Sequence, residues 1–169
     1  MRDALIVSTA RTPLTKSYRG TFNNTTAPTM AGWAIKEAVK RSGVDPNKVD
    51  DVIMGAALQQ GTQHCNVARN AALAAGLPVT VSGMTLDRQC SSGMMAIATA
   101  AKQIISDGMD VVVGGGLDSI SLVQTEKMNL DRWVDKKLIS KHKHIYMPML
   151  KTAEVVANRY NISRESQDE

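Results

Sequence analysis

One stretch, Val81 to Gly108 (VSGMTLDRQCSSGMMAIATAAKQIISDG), constrains the fold more than any other. Ahead of Cys90, apolar and β-branched residues (Val81, Met84, Leu86) predict a short buried strand. After it, Met94, Ile97, Ala98, Ala101, Ile104 and Ile105 recur near a 3.6-residue period and stop at Asp107-Gly108, which predicts a helix. Ser91 and Ser92 are both good N-cap types for it. Cys90 is therefore expected on a tight strand-to-helix turn, beside the unpaired amides of a helix start. The helix's positive end and its N–H groups favour thiolate over thiol there. This is the layout of a nucleophile elbow with sulfur in place of serine. The competing reading is a buried, inert cysteine, since free cysteine is among the most buried residue types.

The rest of the chain supplies a frame for that turn. Ala4–Ser8 predicts a fully buried first strand, because the run is apolar without alternation. A loop from Tyr18 to Ala27 leads to a helix starting near Pro28-Thr29 and ending at Gly43, with Met30, Trp33, Ala34 and Val39 facing inward. Asp45-Pro46 starts a single turn, Asp51–Ala57 is a second buried strand, and Asn66–Ala75 a helix closed by Gly76 and Pro78. Asp110–Gly114 is a further apolar strand, Thr152–Tyr160 a helix stopped by Asn161, and Ser163 the cap of another. The order β-α-β-α-β-α-β with short connections argues for an α/β fold around a mostly parallel sheet with helices on both faces. The helix after Cys90 is apolar nearly all round until Lys102, as buried helices are. One sheet cannot cover both of its sides, so a second layer has to come from elsewhere.

Around Cys90 the sequence LDRQCSSGMMAI is similar to the acylated-cysteine motif of thiolases, the acetyl-CoA acetyltransferases and 3-ketoacyl-CoA thiolases. DALIVSTARTP, YRGTF, QHCNVARNAALAAGLP, DVVVGGGLDSIS and YMPMLKTAEVVANRYNISRESQDE agree in the same order, so the resemblance covers essentially the whole chain. It departs at Asp87, where asparagine is usual, and at Asp118, where many members have glutamate; both read as subfamily variation bearing on the acyl chain. The resemblance implies a five-layer αβαβα fold, of which this chain supplies one sheet and its helices over 1–121 and the start of the coenzyme A-covering loop region over 122–169. It further implies that the chain is the N-terminal part of a longer polypeptide.

By the same resemblance, Cys90 is the nucleophile that carries the acyl group as a thioester, its backbone N–H serving as an oxyanion donor. The partner acid and base of thiolases lie in GHP and CxG segments, and neither occurs here; His64, His142 and His144 match neither. The isolated chain is accordingly expected to be inactive. Met149 matches a substrate-contacting methionine. Coenzyme A and its acyl thioesters are the implied substrates, with no resident cofactor, and a homodimer or tetramer is the implied assembly of the longer protein. Two neighbouring readings stay open: a ketoacyl synthase using acyl carrier protein, and a catalytically silent acyl-CoA- or lipid-binding relative.

Other features weigh less. Gly114-Gly115-Gly116 lacks the spacing of a dinucleotide loop, because Ser119 stands where its third glycine would be; these glycines are expected to let backbone pass close to the Cys90 turn. Lys127, Arg132, Lys136, Lys137, Lys141, Lys143 and Lys151 form a basic stretch, read as solvated surface or as an attractor of coenzyme A phosphates. His142 and His144 point to opposite sides of an extended chain, so no metal site is expected. Gln59–Arg69 reads as a polar loop and helix cap, and Cys65 as structural or incidental. With 169 residues, a net charge of +4 and two cysteines, the composition gives no argument for nucleic acid and fits a reducing compartment. No apolar run nears a membrane span and no secretory leader is legible, so a cytoplasmic protein is expected.

Overall fold

The strand Asp51–Gly55 (β1) is buried at every position. It is the middle of a three-stranded parallel sheet, with Ser82–Leu86 (β2) on one side and Val112–Gly116 (β3) on the other. Ile53 stands opposite Met84 of β2 and Gly114 of β3. A central parallel strand is covered on both faces, which is why β1 shows no alternation. Val52 and Met54 join the core formed by Ala27–Ser42 (α1) and Val67–Ala74 (α2), while Ile53 meets Ala96 and Ala100 of Ser92–Ser106 (α3) on the opposite face. This α/β arrangement is described here in a computed structural model covering residues 2–169.

A strand start and a helix face differ from the sequence reading. β3 begins at Val112 rather than Asp110 because the Asp50 carboxylate accepts the N–H groups of Asp110 (2.8 Å) and Val111 (3.0 Å), turning the chain before the sheet starts. In α1, which ends in a left-handed Gly43, the inward stripe is Ala27, Ala31, Gly32, Ile35 and Val39. Met30 and Ala34 are only half-buried, and Trp33 is exposed, its ring 6.1 Å from that of Phe22. The helix rests on the alanine-rich α2, and small residues at the contact allow the close approach. The period was legible; the stripe is rotated by a residue.

Ala4–Ser8 does not form the expected strand. Leu5, Ile6 and Val7 are 69–79% exposed. Arg2 pairs with Asp110 and also donates to the Gly108 carbonyl, and at the other end Ser8 Oγ donates to the Ala38 carbonyl at 2.8 Å. Tethered at both ends, the segment reaches no neighbouring backbone, and an apolar run without a partner strand cannot become one. The solvent side of α3 is likewise uncovered, with Met94 at 76% exposure, so this helix is not buried all round within these residues.

The chain divides into two compact units, residues up to Met128 and Asn129–Glu169. A short helix, Ile120–Val123 (α4), belongs to the first: Val123 is buried, and Tyr18 donates its N–H to Ser121 Oγ and its hydroxyl to the Gln124 carbonyl. The second unit contains Lys136–Lys141 (α5), capped by Asp135, Met149–Tyr160 (α6) and Arg164–Asp168 (α7), capped by Ser163. Its helix α6 starts three residues earlier than the expected Thr152, directly after Pro148. Among the described residues no helix is long and apolar enough to cross a membrane.

Candidate active site

Five residues, Asp87 to Ser91, turn the chain from β2 into α3. Asp87 Oδ1 accepts the N–H of Gln89 at 2.7 Å, and Gln89 takes a left-handed φ of 47°. The Ser92 hydroxyl accepts the Arg88 N–H at 2.8 Å and donates to the Gln89 carbonyl at 2.6 Å, while Ser91 Oγ donates to the Arg88 carbonyl at 2.9 Å. Both serines thus close the turn instead of capping the helix, and Ser92, only 4% exposed, is its buried pin. Cys90 sits at the crest with an exposed, unbridged thiol. The expectation of a buried cysteine, the competing reading, is therefore corrected: this residue is exposed.

At the start of α3, the N–H groups of Cys90, Gly93 and Met94 have no acceptor among the described residues. Donors so placed at the mouth of a 15-residue helix favour an anion next to them. The close approach expected of the glycine run is present, and β1 shares in it. A Cβ on Gly55 would collide with the backbone of Ser92 and Gly93, and one on Gly116 would come within 3.0 Å of Gly93 Cα. The helix mouth is thereby pressed onto the C-terminal ends of β1 and β3, the edge where sites of α/β sheets form.

A second lock joins these strand ends. Asp118 Oδ1, beyond β3, accepts the Ala57 N–H at 3.2 Å and Gln63 Nε2 at 3.1 Å. Gln63, 1% exposed, also donates to the Leu58 carbonyl at 2.8 Å and accepts the Ser119 N–H. Partial desolvation pushes the Asp118 carboxyl up, against the two hydrogen bonds that hold it down, and the charge of Asp87 pushes the same way. Gln63 had no signal in the sequence beyond membership of a polar loop; only the fold makes it a buried bracket. Cys65, in that same loop, is exposed with a left-handed φ of 51°, its sulfur 2.6 Å from His64 Nδ1.

Met149 is the first residue of α6 in the second unit, where its side chain is 72% exposed. Arg132, Lys136, Lys137, Lys141, Lys143 and Lys151 of that unit are exposed too.

The family model described as "Thiolase, N-terminal domain" matches residues 4–169. The chain is 39% identical over 168 residues to a 3-ketoacyl-CoA thiolase of Bacillus subtilis, covering 99% of this chain and 42% of that protein. It is 35% identical over 169 residues to a peroxisomal 3-ketoacyl-CoA thiolase 2 of Arabidopsis thaliana, covering 99% of this chain and 36% of that one. The crystal structure of the Bacillus anthracis acetyl-CoA acetyltransferase superposes with a TM-score of 0.84 at 38% identity, over 99% of this chain and 44% of that chain. The chain therefore spans less than half the length of these relatives.

Proposed function

Because the chain belongs to the thiolase family and carries its N-terminal domain, we propose that Cys90 is the nucleophile of an acyl-coenzyme A C-acyltransferase. The observation that carries this reading is the exposed Cys90 on a pinned turn at the mouth of α3, where the N–H groups of Cys90, Gly93 and Met94 have no acceptor among the described residues. In thiolysis the Cys90 thiolate attacks the C3 ketone of a 3-ketoacyl-CoA. The C2–C3 bond breaks, acetyl-CoA leaves once its C2 carbanion takes a proton, and an acyl thioester stays on the sulfur. Coenzyme A thiol, deprotonated, then attacks that thioester and restores the cysteine. The reverse sequence condenses two acetyl-CoA. Relatives named for either substrate support the class, and the direction is set by the reactants.

A proton must leave the thiol and another must reach the carbanion. The GHP and CxG segments that serve these roles in thiolases do not occur in the 169 residues. Turnover is thus a property of the longer protein, as are the proposed homodimer, the contact of Met149 with substrate and the attraction of coenzyme A phosphates by the basic stretch. The test is a chimera in which residues 1–169 precede the C-terminal remainder of the Bacillus subtilis relative. Acetoacetyl-CoA should be consumed in the presence of coenzyme A, and Cys90→Ser should abolish this. Turnover that survives Cys90→Ser overturns the assignment, and transfer only from acyl carrier protein would make it a ketoacyl synthase.

A further inference from the structure

Gly114–Gly116, which end β3, carry no side chains to fix them. Among the described residues, the last backbone hydrogen bond between the ends of β1 and β3 runs from the Leu117 N–H to the Gly55 carbonyl at 3.0 Å. Just beyond it, Asp118 and Gln63 tie the two segments together, Asp118 through the Ala57 N–H and Gln63 through the Ser119 N–H. Gln63 is held in turn from two helices. Thr62 Oγ1 accepts the Ala27 N–H of α1 at 2.9 Å, and Gly61 lies against α4, where a Cβ would stand 3.1 Å from the Leu122 carbonyl. Both ends of the Cys90 turn hang from the strand ends so tied. At its entry the Ala56 N–H donates to the Leu86 carbonyl at 3.0 Å, next to the bracketed Ala57. At its exit Gly93 rests on Gly55 and Gly116 with no room for a methyl group between them. We propose that Gln63 and Asp118 are positioning residues for Cys90. They fix the spacing of the strand ends, and through it the geometry at which the mouth of α3 presents Cys90 and the N–H groups there to an acyl-coenzyme A carbonyl.

The effect passes through backbone, since among the described residues no hydrogen bond joins either side chain to Cys90. Close-packed contacts pass on small displacements because they contain no slack to absorb them. Here the contact is glycine backbone on glycine backbone, so a shift at the end of β3 moves Gly93 directly. A misplacement of about 1 Å at a reacting centre costs up to about a hundredfold in rate. In the bracket Asp118 acts only as an acceptor. A variant that keeps its oxygen and loses its charge therefore separates position from electrostatics. The inference deepens the reading of Cys90 as the nucleophile and rests on it.

Alkylation by iodoacetamide, followed peptide by peptide by mass spectrometry across pH, tests it on the 169-residue chain. Asp118→Ala and Asp118→Asn lose the same charge, and only the alanine loses the bracket. At neutral pH, Cys90 should react about threefold more slowly in Asp118→Ala than in Asp118→Asn, with its alkylation profile moved to higher pH, as the helix-mouth donors lose their alignment. Val39→Ala loosens the core on the α1 side and should leave the Cys90 rate within about twofold of the parent. In the chimera described above, kcat for acetoacetyl-CoA should fall at least about tenfold in Asp118→Ala relative to Asp118→Asn, with KM within about twofold. Equal Cys90 rates in the two Asp118 variants overturn the inference, as does an equal slowing in Val39→Ala, which reduces the effect to lost stability. Asp118→Ser, whose hydroxyl is too short to bridge, replaces the alanine variant if that chain does not fold. Failure of both to fold makes the bracket a folding element and overturns the inference as well. Slowed alkylation without turnover in any chimera keeps the positioning and rejects the chemistry. Turnover that requires Cys90 and is the same in both Asp118 variants does the reverse.

Discussion

Two apolar runs of similar length, Ala4–Ser8 and Asp51–Gly55, meet different fates in one molecule. The second is buried at all five positions between two parallel neighbours, whereas the first leaves Leu5, Ile6 and Val7 mostly in solvent. Hydropathy does not separate them. The difference is backbone pairing: β1 has β2 and β3, and the N-terminal run borders a cavity without joining the sheet. A continuous apolar run fits the environment of a buried strand, and the partner that creates that environment is not written in the run itself.

The sharpest way to break this comparison is a matched pair of truncations. Ile53→Ala removes a fully buried side chain and should cost about 2–5 kcal/mol, whereas Ile6→Ala in the same 169-residue chain should stay within about 0.5 kcal/mol. Urea unfolding measures both, and equal costs would mean that the N-terminal run is packed after all. Next in size is Gly55→Ala, which drives a methyl into the backbone of α3 where β1 ends; a loss of about 1–3 kcal/mol is expected. Its effect should extend to the site, with Cys90 alkylated by iodoacetamide at an altered rate, while the two methyl groups added in the unpaired run by Ala4→Val should alter neither.

The smallest effect belongs to Asp118, which brackets the end of β1 to the end of β3. Its folded pKa is raised, so its contribution is most favourable at low pH and is lost as pH rises from the ordinary aspartate range through the raised value. Asp118→Asn keeps an acceptor for Ala57 and Gln63 and removes the charge. It should be equal to or slightly more stable than the parent at neutral pH, by no more than about 1 kcal/mol because solvent screens the group. The difference should vanish near pH 3, which thermal unfolding across pH will show.

Much of this was readable from residue order. The parallel α/β class, the strand before Cys90, the helix after it and the stops at Gly43 and Asn161 follow from periodicity and caps. The turn at Cys90 was legible because the apolar spacing after it marks a helix start, although Ser91 and Ser92 close the turn and do not cap the helix. What escaped reading were relations between distant residues. The buried bracket of Gln63 and Asp118 depends on two strand ends being adjacent. The rotation of α1 depends on the alanine surface of α2, and whether Ala4–Ser8 joins the sheet depends on backbone pairing, which no local pattern announces.

The central claim is that Cys90 carries an acyl group, and the most direct measurement is peptide mass spectrometry of the chimera after brief exposure to acetyl-CoA and acid quench. The account predicts one acetyl group on the peptide containing Cys90, discharged by added coenzyme A, with Cys65 unmodified. An unmodified Cys90 in a folded chimera, or an acetyl group on another residue, would contradict it.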